Sequence, residues 1–177
     1  MSVGPAAGVL APVGAARVRP ASANDLATLT ELWIAITRHH EPLDPLFRLR
    51  PGPEGEVREL LRAWLRDPDA RAFVCEASGD ALGMACVRID RAPPILDETE
   101  RAELTDLFVR PAWRRRGVGR ALARAALDWA ASRGIRRVEV RVAMANAGGW
   151  AFWRALGFGD HMQVLQLRLP EPSRAVR

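Results

Sequence analysis

A chain of 177 residues is long enough for one domain with a sizeable core, and 49 % hydrophobic content is ordinary for a globular protein. The net charge of +5 comes from arginine, since the chain has no lysine, and the arginines are scattered apart from Arg114–Arg116 and Arg136-Arg137. That is not the aromatic-interleaved basic stripe of a nucleic-acid binder. No run approaches the ~20 apolar residues of a membrane span. Gly4, Pro5, Pro12 and Gly14 interrupt what a signal peptide would need as its apolar segment, so the expected location is the cytoplasm.

Residues 1–16 are rich in Ala, Gly, Pro and Val without a period, and read as a disordered leader. A single domain is expected over 17–169, with 170–177 a loose tail. A first strand lies near Arg17–Pro20. Ser22-x-x-Asp25 is a capping-box-like helix start, and Leu26, Leu29, Trp33 and Ile36 follow at helical spacing until His39-His40. Pro42, Pro45, Pro51 and Pro53 make Glu41–Gly55 a loop. A second helix, about Gly55–Arg66, carries Val57, Leu60, Leu61, Trp64 and Leu65.

Arg71–Ala77 alternates as a strand, and Ala81–Asp90 is its hairpin partner about Gly79-Asp80. On that pairing Cys75 faces Met84 and Cys86 faces Phe73. The thiols are then diagonal neighbours, a poor geometry for a disulfide, so free buried thiols in a reducing compartment are expected. No Cys/His spacing suggests a metal site.

Glu103–Val109 is a strand ended by Pro111, which has no N–H for a ladder. The helix from Val118 shows Val118, Leu122, Ala125 and Trp129 on one face and stops at Gly134. Arg136–Ala143 alternates charge with Val138, Val140 and Val142, a strand with one wet face. Gly148–Leu156 is a short helix stopped by Gly157, and Phe158–Leu169 a last strand with Val164, Leu165, Leu167 and Leu169. The order is that of a mixed α/β domain.

Between strand and helix stand Arg114, Arg115, Arg116, Gly117, Val118, Gly119 and Arg120. A helix start offers unpaired N–H groups and positive partial charge, glycines let an anion approach the backbone, and arginines add charge around it. The alternative is a tight turn with solvated arginines. Two other phosphate patterns fail: the dinucleotide pattern wants glycine where Leu122 stands, and the P-loop wants a lysine.

Arg114-x-x-Gly117-x-Gly119, after a strand ending Leu107-Phe108-Val109, resembles the acetyl-CoA signature of the GNAT (Gcn5-related N-acetyltransferase) superfamily. Asn146-Ala-Gly-Gly149-Trp-Ala-Phe152-Trp153-Arg-Ala-Leu-Gly157-Phe158 is similar to that family's second motif, in order and at family spacing. The resemblance implies a mostly antiparallel sheet with helices on both faces, in which the strands at 103–109 and 136–143 run parallel and splay apart at the cofactor site. It implies acetyl-CoA as acyl donor. Backbone groups of Leu107, Phe108 and Val109 would hold the acetyl and pantetheine. The Arg115–Arg120 loop would hold the pyrophosphate, with Arg114 at the signature position. Asn146 would bond the pantetheine amide, unless it is only a helix N-cap, and Phe152 and Trp153 would complete the cofactor site. Homodimers, often formed through the last strand, are common in similar proteins.

For the general base the family position is Glu103, with Asp106 next; each could instead be an ordinary strand carboxylate. The family's acid, a tyrosine, aligns with Trp153, and the chain has no tyrosine. An indole N–H donates a hydrogen bond but does not usefully release its proton. His39 and His40 close the first helix, either near an acceptor or simply as a polar helix end. Three functions follow: an N-acetyltransferase acting on a small-molecule amine, the same chemistry on a peptide or protein amine, or a non-catalytic acyl-CoA-binding module. A nucleic-acid ligand is not expected.

Overall fold

The computed structural model describes residues 16–169. The expected tail, and all of the expected leader but residue 16, lie outside the described residues. By their contacts the residues fall into two compact units, one ending at Asn146 and one starting at Ala147.

The first unit holds a five-stranded sheet in the order β1 (Arg17–Pro20), β2 (Ala70–Ala77), β3 (Asp80–Arg91), β4 (Glu100–Val109), β5 (Val138–Val140). β1 to β4 pair antiparallel and β4 with β5 pairs parallel. Helix α1 (Leu26–His40) and helix α2 (Glu54–Arg66) cover one face. There Leu29, Leu32 and Leu61 bury Val74, Met84 and Phe108. Helix α3 (Val118–Ser132) packs on the other face, where Leu122 lies against Gly83. This is the expected α/β architecture, with helices on both faces of a mostly antiparallel sheet. The start of α1 is tied to the sheet. The Asp25 carboxylate accepts from the Ser22 N–H at 2.7 Å and from both terminal nitrogens of Arg19, which also reaches Glu76 across the β1–β2 pair.

Three expectations for this unit need correction. Across the hairpin Cys75 faces Gly83 and Cys86 faces Ala72, one residue from the expected pairing. Side chains alternate along a strand, so that slip puts the two thiols on opposite faces, and both are free and buried. The buried stripe of α3 is Val118, Leu122, Ala126 and Ala130 rather than one through Trp129, which is half-buried under the Arg71 guanidinium at 6.0 Å. The strand expected over Arg136–Ala143 pairs only at Val138–Val140.

The second unit contains α4 (Ala147–Arg154). Gly157, at φ 94°, turns the chain back so that the Phe158 N–H donates to the Trp153 carbonyl at 3.1 Å. The Trp153 ring sits edge-on to Phe152 at 4.9 Å and to Phe158 at 5.2 Å. The expected last strand, Phe158–Leu169, is not one: these residues form no ladder, and Leu165 is 86 % exposed. Alternation specifies a face, but a strand also needs a neighbour for its N–H and C=O groups. Among the described residues the second unit contains no other strand.

Candidate active site

β4 positions the site, and one extra residue shapes it. Val87 faces Leu104, yet the next β3 residue, Cys86, faces Asp106, so Thr105 is a bulge. In an unbroken strand Glu103 and Asp106, three apart, would point to opposite faces. Their partners Arg88 and Cys86 are two apart on β3 and share a face, so the bulge brings both carboxylates to the face covered by α1 and α2.

The parallel ladder with β5 ends at Leu104 and Val140, while β4 runs on to Val109. The Arg110 N–H donates to the Leu82 carbonyl at 2.9 Å, toward β3. By the two-residue alternation of backbone groups, Leu107 and Val109 then turn their N–H and C=O away from β3, to the edge that β5 has left. On that edge the Val109 carbonyl accepts from Arg114 Nε at 3.0 Å. Phe108 points its ring into the core, with the Arg114 guanidinium 5.7 Å from its centre.

Beyond β4 a short turn, Pro111–Trp113, leads to two left-handed residues, Arg115 at φ 60° and Gly117 at φ 86°. Arginine in that region costs about 1–2 kcal/mol, so the surrounding chain must hold it there. Gly117 is the N-cap of α3, and a side-chain carbon added to it would meet nothing within 4 Å. The first N–H groups of α3, at Val118, Gly119 and Arg120, have no carbonyl partner within the helix and stand at its positive end. Arg115, Arg116 and Arg120 are exposed around this mouth, Arg116 resting 5.6 Å over the Trp113 ring.

The two carboxylates differ. Glu103 is buried and both oxygens are engaged, Oε2 with Arg88 at 3.0 Å and Oε1 with Arg141 at 3.1 Å. Asp106 has no ion pair among the described residues. The residue keeps some exposure, but its carboxyl lies deep among protein atoms. Burial, with some help from the Glu103 charge and against the hydrogen bond of Thr105, pushes it up to about 6. Arg88 and Arg141 carry no motif in the sequence; only the cross-strand register brings them to Glu103.

At the end of α1, His40 Nδ1 lies 2.9 Å from the Ile36 carbonyl. A carbonyl only accepts, so Nδ1 carries the proton and Nε2 faces the Asn146 amide nitrogen at 3.4 Å. Burial and then the Arg114 charge hold the neighbouring His39 below the usual histidine range. Asn146 thus closes the first unit, while Phe152 and Trp153 belong to the second. A cavity of about 520 Å³ opens between α1, residues 48–53 and α2, lined by Trp33, Leu49, Val57 and Leu60. It includes none of the β4 or α3 residues above. No cluster able to hold a metal, and no helix long and apolar enough to cross a membrane, occurs among the described residues.

A sheet whose fourth strand parts from a parallel neighbour and runs into a glycine turn at a helix mouth is the fold of the GNAT type. Residues 27–158 match the model of the acetyltransferase (GNAT) family, and the chain belongs to that family. Its relatives include an uncharacterized N-acetyltransferase of Methanocaldococcus jannaschii, 39 % identical over 55 % of this chain and 43 % of that protein, so the chain spans less than half of that relative's length. The aminoglycoside N(6')-acetyltransferase type 1 of Stenotrophomonas maltophilia is 32 % identical over 71 % of this chain and 83 % of that protein. Among solved structures, aminoglycoside N-acetyltransferase AAC(6')-Iy in complex with CoA superimposes with a TM-score of 0.69 at 23 % identity, over 87 % of this chain and 94 % of that one.

Proposed function

We propose that the protein is an acetyl-CoA-dependent N-acetyltransferase that moves an acetyl group directly to a primary amine of a small molecule. The observation that carries this reading is the open edge of β4 at Leu107 and Val109, ending beside the left-handed Gly117 at the mouth of α3. A small acceptor agrees with the S. maltophilia relative, whose name gives an aminoglycoside acetyltransferase.

Acetyl-CoA, when bound, supplies an acyl group activated as a thioester. Backbone groups of Leu107 and Val109 hold and orient it on the strand edge. The N–H groups at the start of α3, with Arg115, Arg116 and Arg120, hold the diphosphate. Asp106 accepts the proton of the incoming ammonium, because its lone pairs are not claimed by an arginine and its pKa of about 6 lies closer to that of an amine than an ordinary carboxylate's does. Glu103, held between Arg88 and Arg141, positions those side chains. With no tyrosine in the chain, solvent protonates the departing thiolate, whose conjugate acid has a pKa near ~8.5. The roles of Phe152 and Trp153 rest on their motif. Two free, buried thiols suit a reducing compartment such as the cytoplasm.

The test is a calorimetric titration with acetyl-CoA, followed by release of free thiol across a panel of amines at pH 8. Binding with turnover of at least one small amine is the expected result. Binding without turnover on any amine would make the protein an acyl-CoA-binding module, and no binding would remove the reading altogether.

A further inference from the structure

One carboxylate holds two guanidinium groups beside the proposed base. Glu103 is buried, and its oxygens face Arg88 and Arg141 at 3.0 and 3.1 Å. Arg88 also pairs with Asp90 at 3.4 Å. Arg141 is 73 % exposed, and Glu103 is its one ion-pair partner among the described residues. Exposed ion pairs contribute little to stability, while burying a carboxylate has a cost, so the arrangement is not explained as a device for holding the fold together. It does fix a flexible side chain. Arg141 follows Val140, the last rung shared by β4 and β5, and so stands where the two strands part.

The geometry points to Arg141, steered by Glu103 and flanked by Arg88, as a seat for an anionic group on the acceptor: the substrate is a primary amine that also carries a carboxylate or phosphate. This rests on the acetyltransferase reading above. Glu103 and Asp106 share a face, and their β3 partners are two residues apart, about 7 Å along the strand. An amine at Asp106 and an anion at Arg141 are thus separated by several bonds, as in 4-aminobutyrate. A planar guanidinium held by one edge keeps its remaining N–H donors for such a group.

Two matched pairs of acceptors test the seat: 4-aminobutyrate against butylamine, and phosphoethanolamine against ethanolamine. Each is titrated calorimetrically into the protein saturated with CoA, and each is assayed for thiol release with acetyl-CoA. The anionic member of a pair is expected to bind at least about tenfold more tightly. Whichever pair shows the preference identifies carboxylate or phosphate. R141Q is expected to erase that preference, by raising the anionic acceptor's Kd and KM about tenfold relative to its neutral partner, and R141K to restore part of it. Equal binding within both pairs, or an equal effect of R141Q on both members, overturns the proposal. Arg141-dependent binding of the anionic amine with no thiol release would leave the seat standing and remove the acetyltransferase reading.

Discussion

Cys86 and Asp106 stand opposite each other across β3 and β4, on the face of the sheet covered by α1 and α2. Burial pushes both groups toward their protonated forms. Asp106 reaches about 6, and the Cys86 thiol rises well above the ordinary thiol range, with the Asp106 charge adding to the effect. Such a thiol is inert, and the carboxyl is a base that switches on near neutrality. The rate with a saturating amine is expected to rise with pH through about 6 as Asp106 ionises. D106N should lower kcat by roughly 10²–10⁴-fold while calorimetry still detects acetyl-CoA binding.

The same residue has a cost in stability. Its folded pKa lies above its unfolded one, so the contribution it makes is complete below about pH 4 and is lost as pH rises through about 6. Above that range the ionised carboxyl opposes folding by up to about 3 kcal/mol. D106N should therefore unfold at a higher denaturant concentration than the wild type at pH 8, and the gap should close at pH 4.

Glu103 gives the opposite pattern. E103Q releases Arg88 and Arg141, which are exposed enough for water to take the place of their partner, so the expected loss of stability is about 1 kcal/mol. Turnover should fall mainly through KM for the acceptor. A kcat loss as large as that of D106N would transfer the role of base to Glu103.

Gly83 is a packing requirement. A side-chain carbon there would overlap the Phe108 carbonyl oxygen and come within 3.1 Å of Val109 Cα and 3.2 Å of Leu122 Cδ1. Two of these neighbours are backbone of the β4 edge and cannot swing aside. G83A is expected to cost about 3 kcal/mol in chemical denaturation and to weaken acetyl-CoA binding by displacing Leu107–Val109.

Asp25 reports on the start of α1. The Arg19 guanidinium holds its carboxyl well below the usual carboxylate range, against the effect of burial and with help from Ser22. Stability from a depressed carboxyl is present above its unfolded pKa and lost as pH falls. D25N should cost about 2 kcal/mol at pH 7, and wild type and variant should converge as the pH drops below about 4.

The helices were legible from local spacing. Leu26, Leu29, Trp33 and Ile36 marked α1, and the Arg114–Gly119 spacing marked the helix mouth. What escaped was set across strands. Nothing in Leu104-Thr105-Asp106 announces a bulge, because no glycine or proline is needed for one. The pairing of Glu103 with Arg88 and Arg141 depends on that register, and so does the contrast between the two carboxylates. The Cys75 and Cys86 pairing failed by one position for the same reason: a tight turn can be located to within a residue, but a one-residue error exchanges the faces. Phe158–Leu169 reads as a strand by composition, and composition does not supply a neighbour.

Thr105 changes the parity of its strand. Upstream of it odd-numbered side chains look toward α1 and α2; downstream even-numbered ones do. Were the strand to slip so that Thr105 itself entered the ladder opposite Cys86, everything after it would rotate by half a turn, sending Asp106 toward α3 and exchanging which peptide groups meet the open edge, whereas deleting Thr105 would leave Asp106 opposite Cys86 on its present face. A site of this kind is sensitive to slippage in a way that no list of its functional side chains would reveal, because the residue that aims them contributes no chemistry of its own.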